Sequence, residues 1–215
     1  MTITTIIFDF GGVITTSPFE AFNAFEAQRC FLKNIIRRIN STNPNGNAWA
    51  LFERNEIDAA QFDELFAAEA AARKHAIRGS EVLALLSGDI RAAMVAALDT
   101  LKAKGYKIGC ITNNVQTGSG AGMAGTSEKA ADVAAIMARF DHVIESSKAG
   151  IRKPDPRIYA MMCEALSVAP EACIYLDDLG INCKPAAAMG MTAIKVESEA
   201  QALAALSEQV GFPLI

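Results

Sequence analysis

The 215-residue chain reads as an α/β protein, a doubly wound parallel-sheet core with a helical cap inserted after the first strand. Three observations lead there. Short β-rich runs recur between helical segments. From Thr16 to about Gly88 the strands stop and helix follows helix. Polar and charged residues stand just past the carboxyl ends of the apolar runs, where parallel sheets bind their ligands.

The first predicted strand is Thr2-Phe8, within Ile6-Ile7-Phe8-Asp9-Phe10-Gly11-Gly12-Val13-Ile14, an apolar run that ends on one carboxylate followed by two glycines. A rigid strand behind Asp9 and an open turn ahead of it suit a carboxylate nucleophile. Alone, the segment equally fits a buried strand whose Asp caps the next turn. The next block carries Phe19, Phe22, Phe25, Phe31, Leu32, Ile35, Ile36 and Ile39 at three-to-four residue spacing, a helical period. Asn43-Pro44-Asn45-Gly46 is a turn signal, and Trp49-Phe52 with Ile57-Phe66 forms a second helical hairpin. The division is therefore a core of residues 1–15 and 89–215 and a helical cap of residues 16–88. The core resumes with strands Lys107-Thr112, His142-Glu145, Cys173-Asp177 and Thr192-Val196, separated by alanine-rich helical stretches. Between the second and third strands, Thr117 to Thr126 holds four glycines in a Gly-X-Gly pattern without the P-loop lysine. It reads as a flexible linker, or a lid working with the cap, rather than a nucleotide loop.

Composition narrows the function classes. With 51% apolar residues the chain can bury a sizeable core. A net charge of -4 and no strong basic run argue against a nucleic-acid partner, and Lys33 to Arg38 reads as a helix surface. No run of about 18 apolar residues is present to span a bilayer, and no signal-peptide pattern opens the chain, so the expectation is no membrane and a cytoplasmic protein. Cysteines at 30, 110, 163, 173 and 183 form no CxxC pair and read as reduced thiols, while His75 and His142 are too few for a histidine metal centre.

The strand ends place Asp9, Thr112-Asn113-Asn114, Lys148 to Lys153 and Asp177-Asp178 on one crevice. Asp9 could attack a phosphorus or carbon centre and form a covalent intermediate that water then breaks. A carboxylate approaching an anionic phosphate needs a divalent cation between them, and Asp177 with Asp178 could hold one; Mg²⁺ suits such oxygen ligands. Alternatively that pair is a helix N-cap. The Thr112 hydroxyl and the Asn113 amide can bind phosphate oxygens, with Asn114 beside them. Lys153 sits in Gly150-Ile151-Arg152-Lys153-Pro154-Asp155-Pro156, where the prolines stiffen the loop and start the next helix; it could neutralise a transferred phosphoryl group, with Arg152 the competing cation.

These four segments, in this order, resemble the haloacid dehalogenase superfamily. IIFDFGGVI, CITNN, ESSKAGIRKPDPRIY and YLDDLGINCKPAAAMGMTAIKV are similar in particular to the phosphatase-like domains of soluble epoxide hydrolases and of acyl-CoA dehydrogenase fusions. The resemblance implies Asp9 as nucleophile, Thr112 and Asn113 as the phosphate-binding second motif and Lys153 as the third. It further implies Mg²⁺ held by Asp9, Asp178 and the Gly11 carbonyl, with Asp177 acting through water. The helical block becomes a mobile cap, where Phe19, Trp49, Phe52 and Glu53 either meet substrate or pack the cap's own core.

One departure stands out. Phosphatases of this superfamily carry a second aspartate two positions after the nucleophile as general acid and base, and here that position is Gly11. Losing such a group costs about 10²–10⁴ in rate. The leading expectation is a Mg²⁺-dependent phosphatase acting on a small phosphorylated substrate, with acyl or aryl phosphates favoured because they need little protonation. The alternatives are a metal-independent haloacid dehalogenase-type hydrolase and a non-catalytic phosphate-binding protein. A homodimer is compatible with a compact enzyme, but the oligomeric state is not legible.

Overall fold

The computed structural model describes residues 2–115 and 126–214. Its centre is a five-stranded, all-parallel sheet in the order β3-β2-β1-β4-β5. The chain enters through β1 (Thr5–Phe8) and passes through helices α1 (Pro18–Gln28), α2 (Ile35–Ser41), α3 (Ala48–Glu53), α4 (Ala59–Ala71) and α5 (Gly79–Leu83). It returns through α6 (Ala92–Ala103) to β2 (Lys107–Thr112), then α7 (Ser127–Met137), β3 (His142–Glu145) and the short α8 (Ser146–Ala149). The last part runs α9 (Pro156–Leu166), β4 (Cys173–Asp177), α10 (Gly180–Ala188), β5 (Thr192–Lys195) and α11 (Glu199–Val210). Every predicted strand is present. Of the glycine-rich segment only Thr126 lies within the described residues; its hydroxyl caps α7 by accepting from Lys129 N.

The central strands are apolar without alternation because both faces are covered. Ile6, Phe8, Ile174 and Leu176 point into one layer with α6 and α11, whereas Ile7, Tyr175 and Cys173 point into the other with α9. Such a residue contributes about 1.5–3 kcal/mol on burial, so the middle of the sheet cannot shift register without exposing an entire face. The site is built at its carboxyl edge.

The helical insertion has a core of its own. Phe22, Ile36, Ile39, Phe52, Phe62 and Phe66 are buried together, with Phe52 stacked on Phe62 at 4.8 Å and Trp49 edge-on to Phe62 at 5.6 Å. Helix α3 is capped by Asn47, whose side chain accepts from Ala50 N, and α4 by a capping box between Asp58 and Gln61. The turn signal at Asn43 is a real turn, with Asn43 left-handed and Gly46 N bonded to its carbonyl. Two crossing segments join insertion to sheet: Thr15 bridges Ile90, Thr16 N donates to Asp89 O, and Arg91 N donates to Ile14 O. Among the described residues no helix is long and apolar enough to cross a membrane.

Phe62 is fully buried between three aromatic rings, so Phe62→Ala should cost about 3–5 kcal/mol in urea denaturation. A loss below about 1 kcal/mol would contradict a packed insertion core.

Candidate active site

Four strand ends meet at the carboxyl edge. Asp9 follows β1, Thr112 closes β2, Lys153 lies in the loop after α8, Asp177 closes β4 and Asp178 follows it. A cavity of about 740 Å³ opens over them, between sheet and insertion; its wall includes Asp9, Gly11, Thr112, Asn113, Lys153 and Asp178 from below and Phe19, Phe22, Arg37, Trp49 and Glu53 from above.

Lys153 is the hub. Its side chain is 1% exposed, and its ammonium lies 2.7 Å from Asp9 Oδ1 and 2.8 Å from Asp177 Oδ2. Burial alone would push its pKa down, but Asp177 and Asp9 outweigh that and hold it raised, so the lysine stays charged. Asp9 Oδ1 also accepts from Phe10 N at 2.7 Å, which fixes the carboxylate. Burial pushes the Asp9 carboxyl well up, Asp177 and Asp178 add to the rise, and Lys153 opposes it. Asp178 is likewise raised, first by burial and then by Asp177, with its neighbour Ser17 pulling the other way. Counted as carboxylates, Asp9, Asp177 and Asp178 carry more negative charge than Lys153 balances.

That surplus is what a divalent cation would neutralise. Oxygens from Asp9, Asp177 and Asp178 lie within 4.8 Å of one another, and the Gly11 carbonyl accepts no hydrogen bond from the described residues. An all-oxygen set of this kind fits Mg²⁺. Asp178 is steered by Ser17, whose hydroxyl donates to its Oδ2 at 2.9 Å, a contact with no sequence signal because the two are 161 residues apart. Gly12 makes room for it: at φ +81° a Cβ there would run into the Asp178 carboxylate. Gly11 is the opposite case, since a Cβ there meets nothing within 4 Å.

Asp177, expected to act on a metal through water, is placed differently from Asp178. It does not line the cavity, and its two oxygens accept from four residues: Lys153 Nζ, Tyr175 Oη, Asn182 Nδ2 and Leu179 N. Its visible work is to hold Lys153. The Asn113 amide, expected on phosphate, is also engaged, with Oδ1 accepting from Lys153 N at 2.9 Å and Nδ2 donating to Lys153 O at 3.1 Å. What remains at this motif for an anion is the Thr112 hydroxyl and the Asn113 backbone N–H. Asn114, expected beside them, is buried and does not line the cavity: Nδ2 donates to Glu145 at the end of β3 at 2.7 Å and Oδ1 accepts from the Ser147 hydroxyl in α8 at 2.9 Å, so its amide is already satisfied within the fold. Lys148, also considered at this edge, points outward and pairs with Glu145. Ser17, Tyr175 and Asn182 were not legible as site residues, because each acts through a carboxylate distant in sequence or satisfied in the core.

Removing one partner of a buried ion pair leaves the other charge uncompensated, so Asp177→Ala should cost about 3–5 kcal/mol in urea denaturation. A loss below about 1 kcal/mol, typical of exposed pairs, would show that Lys153 does not depend on it.

Residues 3–190 match the haloacid dehalogenase-like hydrolase family. Acyl-CoA dehydrogenase family member 10 of Mus musculus is 33% identical over 216 residues, covering 97% of this chain and 19% of that protein. Bifunctional epoxide hydrolase 2 of Sus scrofa is 35% identical over 132 residues, 61% of this chain and 23% of the relative. The chain therefore spans about a fifth of the length of these relatives. A phosphatase of Mycobacterium tuberculosis is 31% identical over 49% of this chain and 45% of its own length. Among solved structures, a HAD family enzyme of Bacteroides thetaiotaomicron in a magnesium complex superposes with a TM-score of 0.59 at 17% identity, covering 91% of this chain and 94% of the other. L-2-haloacid dehalogenase from Xanthobacter autotrophicus gives 0.60 at 17% identity, covering 100% and 85%. With its sheet, its strand-end chemistry and a family match over most of its length, the chain belongs to the haloacid dehalogenase-like hydrolases.

Proposed function

We propose that this hydrolase is a Mg²⁺-dependent phosphatase that works through an aspartyl-phosphate on Asp9. The observation that carries the reading is Lys153, a fully buried cation held 2.7 Å from the Asp9 carboxylate at the floor of an open cavity. That geometry suits an anionic group transferred onto Asp9, since the ammonium neutralises charge on the phosphoryl oxygens without leaving its two carboxylates. The Thr112 hydroxyl and the Asn113 N–H take further phosphoryl oxygens. Asp9 attacks phosphorus, the leaving oxygen departs, and water cleaves the acyl phosphate to release phosphate and free the carboxylate. Asp9, Asp178 and the Gly11 carbonyl would hold Mg²⁺, which would supply charge screening for the approach of a carboxylate to an anionic phosphate. The phosphatase relative from Mycobacterium tuberculosis and the Bacteroides enzyme crystallised with magnesium and inorganic phosphate support this choice.

Gly11 decides the substrate preference. Among the described residues the cavity wall offers the carboxylates Asp9, Asp178 and Glu53, and the Glu53 oxygens already accept from Trp49, Arg152 and Asn113. No free carboxylic acid stands ready to protonate a leaving alkoxide. Acyl and aryl phosphates, whose leaving groups need no proton, therefore fit best. Residues 16–88 act as the cap, pivoting on the crossing at Thr15, Thr16, Asp89 and Ile90.

A phosphatase panel with and without Mg²⁺ tests the reading: Asp9→Asn should lower turnover by about 10³-fold or more, and activity surviving it would remove the nucleophile. Aryl and acyl phosphates should turn over faster than alkyl phosphates; equal rates would remove the leaving-group argument. Because the position is open, Gly11→Asp should raise alkyl phosphate turnover by about 10²-fold, and no gain would show that protonation does not limit the rate. Gly11 also favours a second reading, carbon–halogen hydrolysis, which needs no leaving-group acid. Halide release from a 2-haloacid, unaffected by chelator, would put that reading first.

A further inference from the structure

Glu53 lies at the last position of α3, where an anion faces the negative end of the helix dipole. It is nevertheless buried, its side chain 7% exposed. Its partners explain this. Oε2 accepts from Arg152 Nε at 2.5 Å and Oε1 from the Trp49 indole N–H at 2.8 Å, while Asn113 Nδ2 stands 3.4 Å from Oε2. Arg152 reaches further into the insertion and donates from Nη1 to Pro44 O at 2.9 Å. The Glu53 carbonyl accepts from the Ser146 hydroxyl at 2.7 Å, and that hydroxyl also accepts from Asn114 N at 3.1 Å. Helix α3 is thus fastened to both the second-motif turn and the Lys153 loop.

We propose that Glu53 and Arg152 form the latch that couples closure of the cap to alignment of Lys153, and that both are positioning residues of the active site. The path is continuous: Trp49 and Glu53 in the insertion, Arg152 and Asn113 on the core, Asn113 clamping both backbone groups of Lys153, and Lys153 on Asp9. With the latch made, Arg152 is neutralised by Glu53 and does not compete with Lys153 for the transferred group. With the latch open, Asn113 loses the carboxylate behind it, and an unpaired guanidinium competes with Lys153 for the same anion. Arg152 therefore serves the reaction by being held away from it.

The inference rests on the phosphatase reading only for its kinetic arm. The other arm uses Trp49, the sole tryptophan of the chain, whose indole is bonded to the latch. In the full chain without substrate, Glu53→Gln and Arg152→Gln should each at least double acrylamide quenching of Trp49 emission, and the double variant should quench no more than the worse single one. In the kinetic arm, each single variant should lower kcat on an aryl phosphate tenfold or more, the double no further, at a temperature where every variant is folded. Multiplying effects in the double variant, or unchanged quenching and kcat in both singles, would overturn the latch. So would a fall in melting temperature with kcat intact, the mark of a merely structural pair. If Glu53→Gln fails to fold, Arg152→Gln alone decides, and Arg152→Lys should restore part of kcat. A parent inactive on every phosphate would count against the phosphatase reading, leaving the quenching arm to judge the latch.

Discussion

The structure is organised around a buried charge that the fold must keep balanced. Lys153 sits at 1% exposure between Asp9 and Asp177, and a lone ammonium there would cost several kcal/mol. Each neighbour is arranged around that constraint. Tyr175, Asn182 and the Leu179 N–H saturate Asp177, so that it faces the lysine in one orientation. Asn113 grips the lysine backbone from the other side. The ends of β1, β2 and β4 are thereby tied to one point, and the sheet's register fixes the spacing between them.

Two adjacent glycines divide the remaining work. Gly12 is required by contact, because a side chain would displace the Asp178 carboxylate. Gly11 is not required by contact; the space beside it is open to the cavity. Its lack of a side chain is therefore not a packing necessity, and in the proposed phosphatase reaction it would shift the burden of protonation onto the leaving group.

How much was legible beforehand depends on the range of the interaction. The strands were readable because continuous apolar runs bounded by polar residues have few other fates in a chain of this composition, and the helical insertion was readable from the spacing of its phenylalanines. The strand ends singled out Asp9, the segment Lys148 to Lys153 and the pair Asp177-Asp178, and the family resemblance chose Lys153 and Asp178 within them. The surroundings of Asn114 were not legible, because an amide after a strand looks the same whether it faces a ligand or the rest of the fold; its bonds to Glu145 and Ser147 appear only in the structure. Ser17 was invisible for the converse reason, its one partner lying across the site in the fourth motif.

By itself, the sequence determined the α/β class, the place of the insertion and the identity of the charged groups at the sheet's carboxyl edge, since these depend on local period and on residue type. The tertiary structure alone decided which of those groups face the cavity and which are consumed by the fold: Asp178 outward and Asp177 inward, Thr112 open and Asn114 closed, Lys153 on Asp9 and Arg152 on Glu53. The physical reason is that a polar group's availability is set by the partners it meets across the fold, and those lie tens of residues away, beyond the reach of any local pattern.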